Sequence, residues 1–281
     1  MNVENNAEQE ADIVGDLGLM KKAVKDAGQL ALEFFGDRAN DKWQKDDGSF
    51  VSDADMALDK LLHQRLLDGR GDYGWLSEET DDDLVRLNKS RVWIVDPIDG
   101  TRAFIHDKPH WVVSVALVVN GVVRMGCLYN PVKDEFFEAV LGEGAKLNDQ
   151  KMIIDGQGDI EGATIISAPG RFKSKIWPTP WPRVESFMVN SVAYRMALVA
   201  ANKADALLTL SGKSDWDLAA ADLLVREAGG VVSDHQGGEL TFNRKNTRHP
   251  SVLVANRDLY PKLLARTKLV AASKRTGCSH N

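Results

Sequence analysis

Two aspartates that follow a short apolar segment carry the clearest chemical signal in the sequence. Val92–Val95 has the composition of a buried strand, and it is followed by Asp-Pro-Ile-Asp-Gly-Thr. Because Pro97 has no amide donor, we expect the strand to end at Asp96 and the chain to turn until Asp99 faces the same point. The amides of Gly100–Thr101 would then point at an anion if a helix begins there. Two carboxylates beside an anion site are the arrangement that holds Mg²⁺ between a protein and a phosphate.

Turn formation is the alternative interpretation of the same residues, because Asp-Pro and Asp-Gly are common turn dipeptides. Three further acidic pairs have structural alternatives too: Glu78 with Glu79, Asp53 with Asp55, and Asp215 with Asp217. Adjacent glutamates are normally solvated surface charges. Aspartates at the start of a helix normally cap it and interact favourably with its dipole.

The elements that must position these acids follow from hydrophobic periodicity. Helical spacing predicts five helices: Asp12–Phe35, Ser52–Leu67, Ser191–Ala201, Trp216–Ala228 and Leu259–Thr267. Shorter apolar runs predict strands at Val92–Val95, Trp111–Val119, Val122–Tyr129, Glu135–Val140, Thr164–Ser167, Ala206–Thr209, Gly230–Ser233 and Ser251–Ala255. Asn120-Gly121 supplies the positive φ angles of a tight turn and therefore predicts a hairpin between the strands Trp111–Val119 and Val122–Tyr129.

The order of these elements indicates an α/β or α+β protein with two layered lobes. Its 281 residues suffice for one large domain or for two lobes that share a cleft. Antiparallel strands dominate the first half, whereas strands and helices alternate in the second. We expect an N-terminal α+β lobe at residues 1–150 with the main acidic cluster, and a C-terminal α/β lobe at residues 151–281 that supplies Asp217.

Composition excludes several classes of protein. With 43% hydrophobic and 27% charged residues, the chain is neither collagen-like, disordered nor a coiled coil. A net charge of −6 argues against a nucleic-acid partner held by phosphate contacts. The two cysteines, Cys127 and Cys278, form no CxxC motif and fit a reducing compartment. No apolar run is long enough to cross a bilayer and no secretory leader is evident, so we expect a cytoplasmic protein without a membrane partner.

Sequence motifs of other chemistries are missing. The chain has no GxSxG, and its histidines form no HExxH pattern, so no activated serine or zinc centre is predicted. Gly142-Glu-Gly144 lacks the third glycine of a dinucleotide-binding fingerprint, which argues against a Rossmann oxidoreductase.

Three separated motifs resemble those of the inositol monophosphatase family. They are Asp-Pro-Ile-Asp-Gly-Thr at 96–101, Ser-Glu-Glu-Thr at 77–80, and Trp-Asp-Leu-Ala-Ala at 216–220 with Glu-Ala-Gly-Gly at 227–230. The likeness runs from the first helix to Val254. It implies the layered α-β-α-β-α sandwich shared with fructose-1,6-bisphosphatases, and a lithium-sensitive phosphomonoesterase that uses two or three Mg²⁺ ions. It also implies a homodimer.

The resemblance assigns a role to each matching residue. Glu78 matches the acid that binds the activating metal, Asp96 the carboxylate shared between metals, and Ile98 a backbone carbonyl ligand. Asp99 and Asp217 match the remaining ligands of the second metal. The expected catalytic residues are Glu78, Asp55 and Thr101, of which Thr101 and Asp55 match the pair that activates the attacking water. The expected substrate-binding residues are Asp99, Gly100, Thr101, Ser191, Lys213 and Asp217.

Substrate choice departs from the inositol-specific members of the family. Their inositol-binding acid lies seven residues before the residue that matches Asp217, and Leu210 occupies that position here. Lys213 resembles a lysine in relatives that hydrolyse 3′-phosphoadenosine 5′-phosphate. A solvated lysine in a loop is an equally good interpretation of Lys213. Arg102, directly after Thr101, also favours an anionic substrate. Inositol monophosphate is therefore the first expected substrate and the 3′(2′),5′-bisphosphate nucleotide the second. Histidinol phosphate, fructose 1,6-bisphosphate and an inactive metal-binding homologue stay open.

Overall fold

The structure, a computed structural model, describes residues 2–36, 42–44, 50–168 and 170–270, with side chains from 15–36, 52–168 and 170–270. Its helices are α1 (Asn2–Phe34), α2 (Asp53–Leu67), α3 (Thr101–Phe104), α4 (Val192–Ala200), α5 (Asp215–Glu227) and α6 (Tyr260–Thr267), with 3₁₀ turns at Val85–Asn88 and Arg171–Lys173. The five predicted helices are confirmed to within a residue or two, except that α1 begins at Asn2.

A seven-stranded sheet forms the first half of the fold, in the order β3-β4-β5-β6-β7-β8-β9. Its strands are β3 (Gly74–Ser77), β4 (Arg91–Asp99), β5 (Val112–Val119), β6 (Val122–Asn130), β7 (Glu135–Val140), β8 (Gly144–Leu147) and β9 (Gln150–Met152). All neighbours are antiparallel except β3 and β4, which are parallel. The predicted hairpin joins β5 to β6, and its turn residues Asn120 and Gly121 have φ of 51° and 81°.

A five-stranded mixed sheet follows, in the order β11-β10-β12-β16-β14. Two short antiparallel pairs, β1 with β2 and β13 with β15, stand apart from the two main sheets. The remaining strands are β1 (Lys42–Gln44), β2 (Phe50–Ser52), β10 (Thr164–Ile166), β11 (Glu185–Phe187), β12 (Ala206–Thr209), β13 (Lys213–Ser214), β14 (Val231–Ser233), β15 (Arg248–His249) and β16 (Val252–Ala255).

Three apolar clusters stack these elements into five layers. Trp93 and Val95 of β4 pack with α1 and α2, whereas Val92 and Ile94 pack on the opposite face with α4 and α5. Side chains of α4 and α5 also contact one face of the second sheet, and α6 covers its other face. The fold is therefore the expected α-β-α-β-α sandwich, in which helices lie on both faces of each of the two main sheets.

The prediction that the buried strand ends at Asp96 is wrong. β4 continues to Asp99, with Asp96 paired to Ser114 and Asp99 to Val112 of β5. Three residues along β4 therefore span the same distance as two along β5, so β4 contains the one extra residue of a β-bulge. Pro97 is tolerated because a bulge does not require its missing amide to join the ladder. The bulge bends the strand, and the two aspartates consequently reach the same region.

Helix α5 lies unusually close to the first sheet. A Cβ added to Gly126 of β6 would be 2.8 Å from Cα of Ala220, so glycine and alanine are needed at this crossing. The N-terminus of α5, which carries Asp217, is thereby brought over the carboxyl end of β4.

The division into lobes at residue 150 stays a prediction. The large sheet ends at Met152 and the second begins at Thr164, but α4 and α5 join both sheets in one apolar cluster. Residues 1 and 271–281, which include Cys278, lie outside the described residues. Among the described helices, none combines the length and the apolarity that a bilayer crossing requires.

Candidate metal centre

Three aspartates meet where β4 ends and α5 begins. One ligand oxygen each from Asp96, Asp99 and Asp217 lies within 4.8 Å of the other two. Asp96 and Asp99 are 1% and 5% exposed. Buried carboxylates at this spacing repel one another strongly unless a cation or protons neutralise them. The geometry therefore fits a divalent cation with oxygen ligands.

The environment of Asp96 disfavours the charged form of its carboxylate. Its Oδ1 accepts a hydrogen bond from the amide of Ile98 at 3.0 Å, whereas its Oδ2 is buried and has no hydrogen-bond partner. Burial raises the pKa of Asp96 well above its usual range, and the charges of Glu78 and Asp99 raise it further. An unpartnered buried oxygen is costly, and a bound cation would remove that cost.

Asp99 is held by the start of α4. Its Oδ2 accepts hydrogen bonds from the Ser191 hydroxyl at 2.5 Å and from the Ala193 amide at 2.6 Å. Burial and the charge of Asp217 raise the pKa of Asp99 to about 6, while the Lys213 charge acts in the opposite direction. Ser191 is fully buried, and its oxygen also caps α4 by accepting from the Tyr194 amide. The Ser191 hydroxyl thus orients the Asp99 carboxylate. The predicted contact between Ser191 and substrate stays a prediction.

Asp217 combines a capping role with a place in the cluster. Its Oδ2 accepts from the amide of Ser214 at 2.6 Å in a capping box at the start of α5. One of its carboxylate oxygens also belongs to the three-aspartate cluster. The two interpretations of this residue from sequence, helix cap and metal ligand, are therefore compatible in one side chain.

Thr101 and Asp55 are in hydrogen-bond contact beside the cluster, and their role in activating water stays a prediction. The Thr101 hydroxyl lies 3.2 Å from Asp55 Oδ1 and 3.1 Å from the carbonyl oxygen of Ile98. Burial raises the pKa of Asp55 to about 7, against the opposing hydrogen bond from Ser52. A carboxyl group with a pKa near neutrality is suited to accept a proton at physiological pH.

Glu78 and Glu79 lie in the loop that follows β3, and both are partly exposed. The loop is fixed by Asp59, whose carboxylate accepts from the hydroxyls of Ser77 at 2.5 Å and Thr80 at 2.8 Å. Sequence reasoning missed Asp59. A signal was present, because Asp59 follows Asp55 by one helical turn and therefore shares its face of α2.

Strand β13 places a lysine near the cluster. Lys213 is half-buried there, close enough for its charge to act on Asp99. Leu210 is 1% exposed and packs in the apolar cluster with α6, so it does not offer a substrate contact. Arg102 is exposed on α3.

Arg195 is a second residue that sequence reasoning missed. It is 4% exposed, and its guanidinium donates to the carbonyl oxygens of Ser191 and Asn190, each at 3.0 Å. Burial lowers the pKa of Arg195, while the charges of Asp99 and Asp217 act in the opposite direction. The sequence gave no indication that Arg195 lies near the acidic cluster, because helical periodicity does not show which buried position of a helix is close to it.

Comparisons with known proteins agree with the motifs. The model of the inositol monophosphatase family matches residues 17–272. The chain is 32% identical over 255 residues to Nus factor SuhB of Escherichia coli, covering 85% of this chain and 94% of that protein. It is 31% identical over 231 residues to inositol-1-monophosphatase of Rhizobium meliloti, covering 79% and 86%. The crystal structure of extragenic suppressor protein suhB from Bartonella henselae matches with a TM-score of 0.78 at 29% identity, covering 90% and 98%.

Proposed function

Because the chain belongs to the inositol monophosphatase family, we propose that it hydrolyses a small phosphate monoester with Mg²⁺, with inositol monophosphate as the leading substrate. One observation supports this proposal above all. The buried, unpartnered Asp96 oxygen lies in a three-aspartate cluster, next to the Thr101–Asp55 pair.

The donor set fits Mg²⁺, which prefers oxygen ligands and is commonly bound through carboxylates and substrate phosphate. We propose that the ions are held by five residues: Glu78, Asp96, Asp99, Asp217 and the carbonyl of Ile98. Two or three ions per site follow from the family resemblance. When bound, they would supply positive charge for the phosphoryl group and lower the pKa of a bound water.

The residues of the chain would move the proton. A water next to Thr101 gives a proton to Thr101 Oγ1, while the hydroxyl passes its own proton to Asp55 Oδ1. The water oxygen forms a bond to phosphorus, and the ester P–O bond breaks with its electron pair on the leaving oxygen. That oxygen takes a proton from solvent and leaves as the alcohol, and Asp55 then releases the proton that it accepted to solvent. In this proposal the amides of Gly100 and Thr101 hold the phosphate oxygens.

Substrate identity is the finer part of the proposal. The Rhizobium meliloti relative is named an inositol-1-monophosphatase, which supports the inositol ester. The charge of Lys213 beside Asp99 favours the alternative, a 3′(2′),5′-bisphosphate nucleotide, because a second phosphate would need a cationic partner. Histidinol phosphate and fructose 1,6-bisphosphate are less favoured candidates.

Phosphate release with and without Mg²⁺ tests the proposal. The panel holds myo-inositol 1-phosphate, 3′-phosphoadenosine 5′-phosphate, fructose 1,6-bisphosphate and histidinol phosphate, with Asp96→Asn as the inactive control. Mg²⁺-dependent turnover dominated by the inositol ester supports the leading substrate. Preference for the nucleotide, reduced by Lys213→Met, assigns Lys213 to substrate binding. If the protein binds Mg²⁺ but releases no phosphate from any of the four esters, the proposed phosphatase activity is contradicted and a metal-binding homologue without catalysis is favoured.

The Escherichia coli relative carries the name Nus factor SuhB, so the expected absence of a nucleic-acid partner stays a prediction. An electrophoretic mobility assay with RNA and DNA at low and high salt tests it. A cytoplasmic location is also part of our proposal, and the fully buried free thiol of Cys127 is consistent with it.

We also propose a homodimer. The edge strand β11 is exposed along its length, and Phe187 and the adjacent Met188 are 39% and 42% exposed. An uncovered edge strand with apolar neighbours invites pairing with another chain. Light scattering after size-exclusion chromatography measures the mass, and a monomer at micromolar concentration would contradict the dimer.

A further inference from the structure

A buried arginine connects the loop that carries Glu78 with residues next to the start of α5, the helix that carries Asp217. Arg86, in the 3₁₀ turn eight residues after Glu78, is 1% exposed. Its guanidinium binds both carboxylate oxygens of Asp82, at 3.0 and 2.6 Å. It also donates to Asn243 Oδ1 at 2.6 Å and to the carbonyl of Arg244 at 3.0 Å. Such bidentate, charge-assisted contacts fix both distance and orientation.

The same hydrogen-bond chain continues from Asn243 to the start of α5. The amide of Asn243 donates to Asp215 Oδ2 at 2.8 Å, and His249 Nε2 lies 2.8 Å from Asp215 Oδ1. Because a carboxylate only accepts hydrogen bonds, His249 carries a proton on Nε2. Asp215 is fully buried as the first residue of α5, two residues before Asp217.

The acids next to the two ends of this hydrogen-bond chain lie near the same carboxylate, that of Asp96. Glu78 precedes Asp82 in its loop, and its amide donates to the carbonyl of Val95, next to Asp96, at 3.3 Å. Asp217 shares the three-aspartate cluster with Asp96. Acids in such proximity repel one another, so their segments need attachments that hold them together before a cation arrives. The apolar packing of α5 supplies one attachment. The chain from Asp82 through Arg86 and Asn243 to Asp215 supplies a polar one.

We infer that Arg86 is a positioning residue that, through Asn243 and Asp215, holds Asp217 at the distance from the Glu78 loop that a bound metal requires. This inference rests on the proposed function, because it takes Mg²⁺ as the occupant of the cluster. Residues that orient metal ligands typically change metal affinity by about 10–100-fold when they are altered.

Asn243 offers the mildest test, because its φ of 56° is also favourable for glycine. Asn243→Gly keeps the amide that bonds Asp215 and removes only the acceptor for Arg86. Asn243→Asp restores an acceptor and is the rescue variant. Asn120→Gly is the matched control, because Asn120 also has a positive φ of 51° and lies in the β5–β6 turn.

The measurements are Mg²⁺ affinity by isothermal titration calorimetry and the melting temperature in EDTA. We expect Asn243→Gly to weaken Mg²⁺ binding about tenfold, with a melting temperature in EDTA close to that of Asn120→Gly. Asn243→Asp should recover the affinity, and turnover of Asn243→Gly should return at saturating Mg²⁺. Arg86→Lys, which cannot make the paired contacts, should weaken Mg²⁺ binding as well and serves if the glycine variant does not fold.

Unchanged Mg²⁺ affinity in Asn243→Gly with a lowered melting temperature would overturn the inference, because the network would then stabilise the fold only. Failure of the unaltered protein to bind Mg²⁺ would instead overturn the proposed function. The two failures are therefore separate.

Discussion

Replacing Asp96 by asparagine should make the metal-free protein more stable while abolishing its activity. Asp96 Oδ2 is a buried acceptor without a partner, among four other carboxylates that act on it. An amide at this position keeps the Oδ1 acceptor for the Ile98 amide, loses the charge, and presents a donor to the neighbouring carboxylates. A cluster that lacks one ligand charge would no longer hold Mg²⁺ for catalysis.

The magnitude follows from the cost of an unsatisfied buried polar group, about 1–3 kcal/mol. For a chain of this size that gain raises the melting temperature by roughly 2–10 °C. The sign depends on pH. Because the pKa of Asp96 is raised in the folded protein, the unaltered protein loses stability as the pH rises from the usual aspartate range to the raised pKa. The advantage of Asp96→Asn is therefore complete above the raised pKa and disappears below the usual range.

The assay is thermal unfolding followed by circular dichroism, in EDTA and in saturating Mg²⁺, at acidic and alkaline pH. Mg²⁺ should stabilise the unaltered protein and leave Asp96→Asn unaffected. Asp72→Asn, at an exposed aspartate, is the control for loss of one surface charge. A folded Asp96→Asn protein that melts below the control in EDTA at alkaline pH, or that retains normal turnover, would refute the reasoning.

Three further predictions concern the proton path and the metal. Thr101→Ala should lower kcat by about 10²–10⁴-fold, the usual contribution of acid–base catalysis, with little change in Mg²⁺ affinity, whereas Thr101→Ser should keep most activity; a loss confined to Mg²⁺ affinity would make Thr101 structural. Mg²⁺ affinity measured by calorimetry should rise as the pH increases from about 5 to about 7, because the pKa of Asp99 is raised to about 6 and its proton must leave. A pH-independent affinity over that range would contradict the assignment of Asp99. Lithium should inhibit turnover by competing with Mg²⁺, and inhibition that excess Mg²⁺ does not relieve would argue against a shared site.

Local sequence determined most elements and the identity of the acids. Apolar periodicity is a property of neighbouring residues, so the hairpin of β5 and β6 and the helices α2 and α5 were predictable. The Asp96–Thr101 segment was recognisable because two acids, a proline and a glycine follow a strand within one turn. The same locality explains the error at Pro97, since a bulge depends on how β5 pairs with β4.

Only the tertiary structure decided which polar groups meet. Ser191 reaches Asp99 across 92 residues of sequence, and Arg86 reaches Asn243 across 157. No periodicity encodes contacts of that separation, which depend on how α4 and α5 pack between two sheets. Tertiary packing also buried Leu210, where the inositol-specific members carry a substrate-binding acid, and left the Asp96 oxygen without a partner. The sequence thus specified the acids, whereas close packing of distant elements placed their charges together in a low-dielectric site.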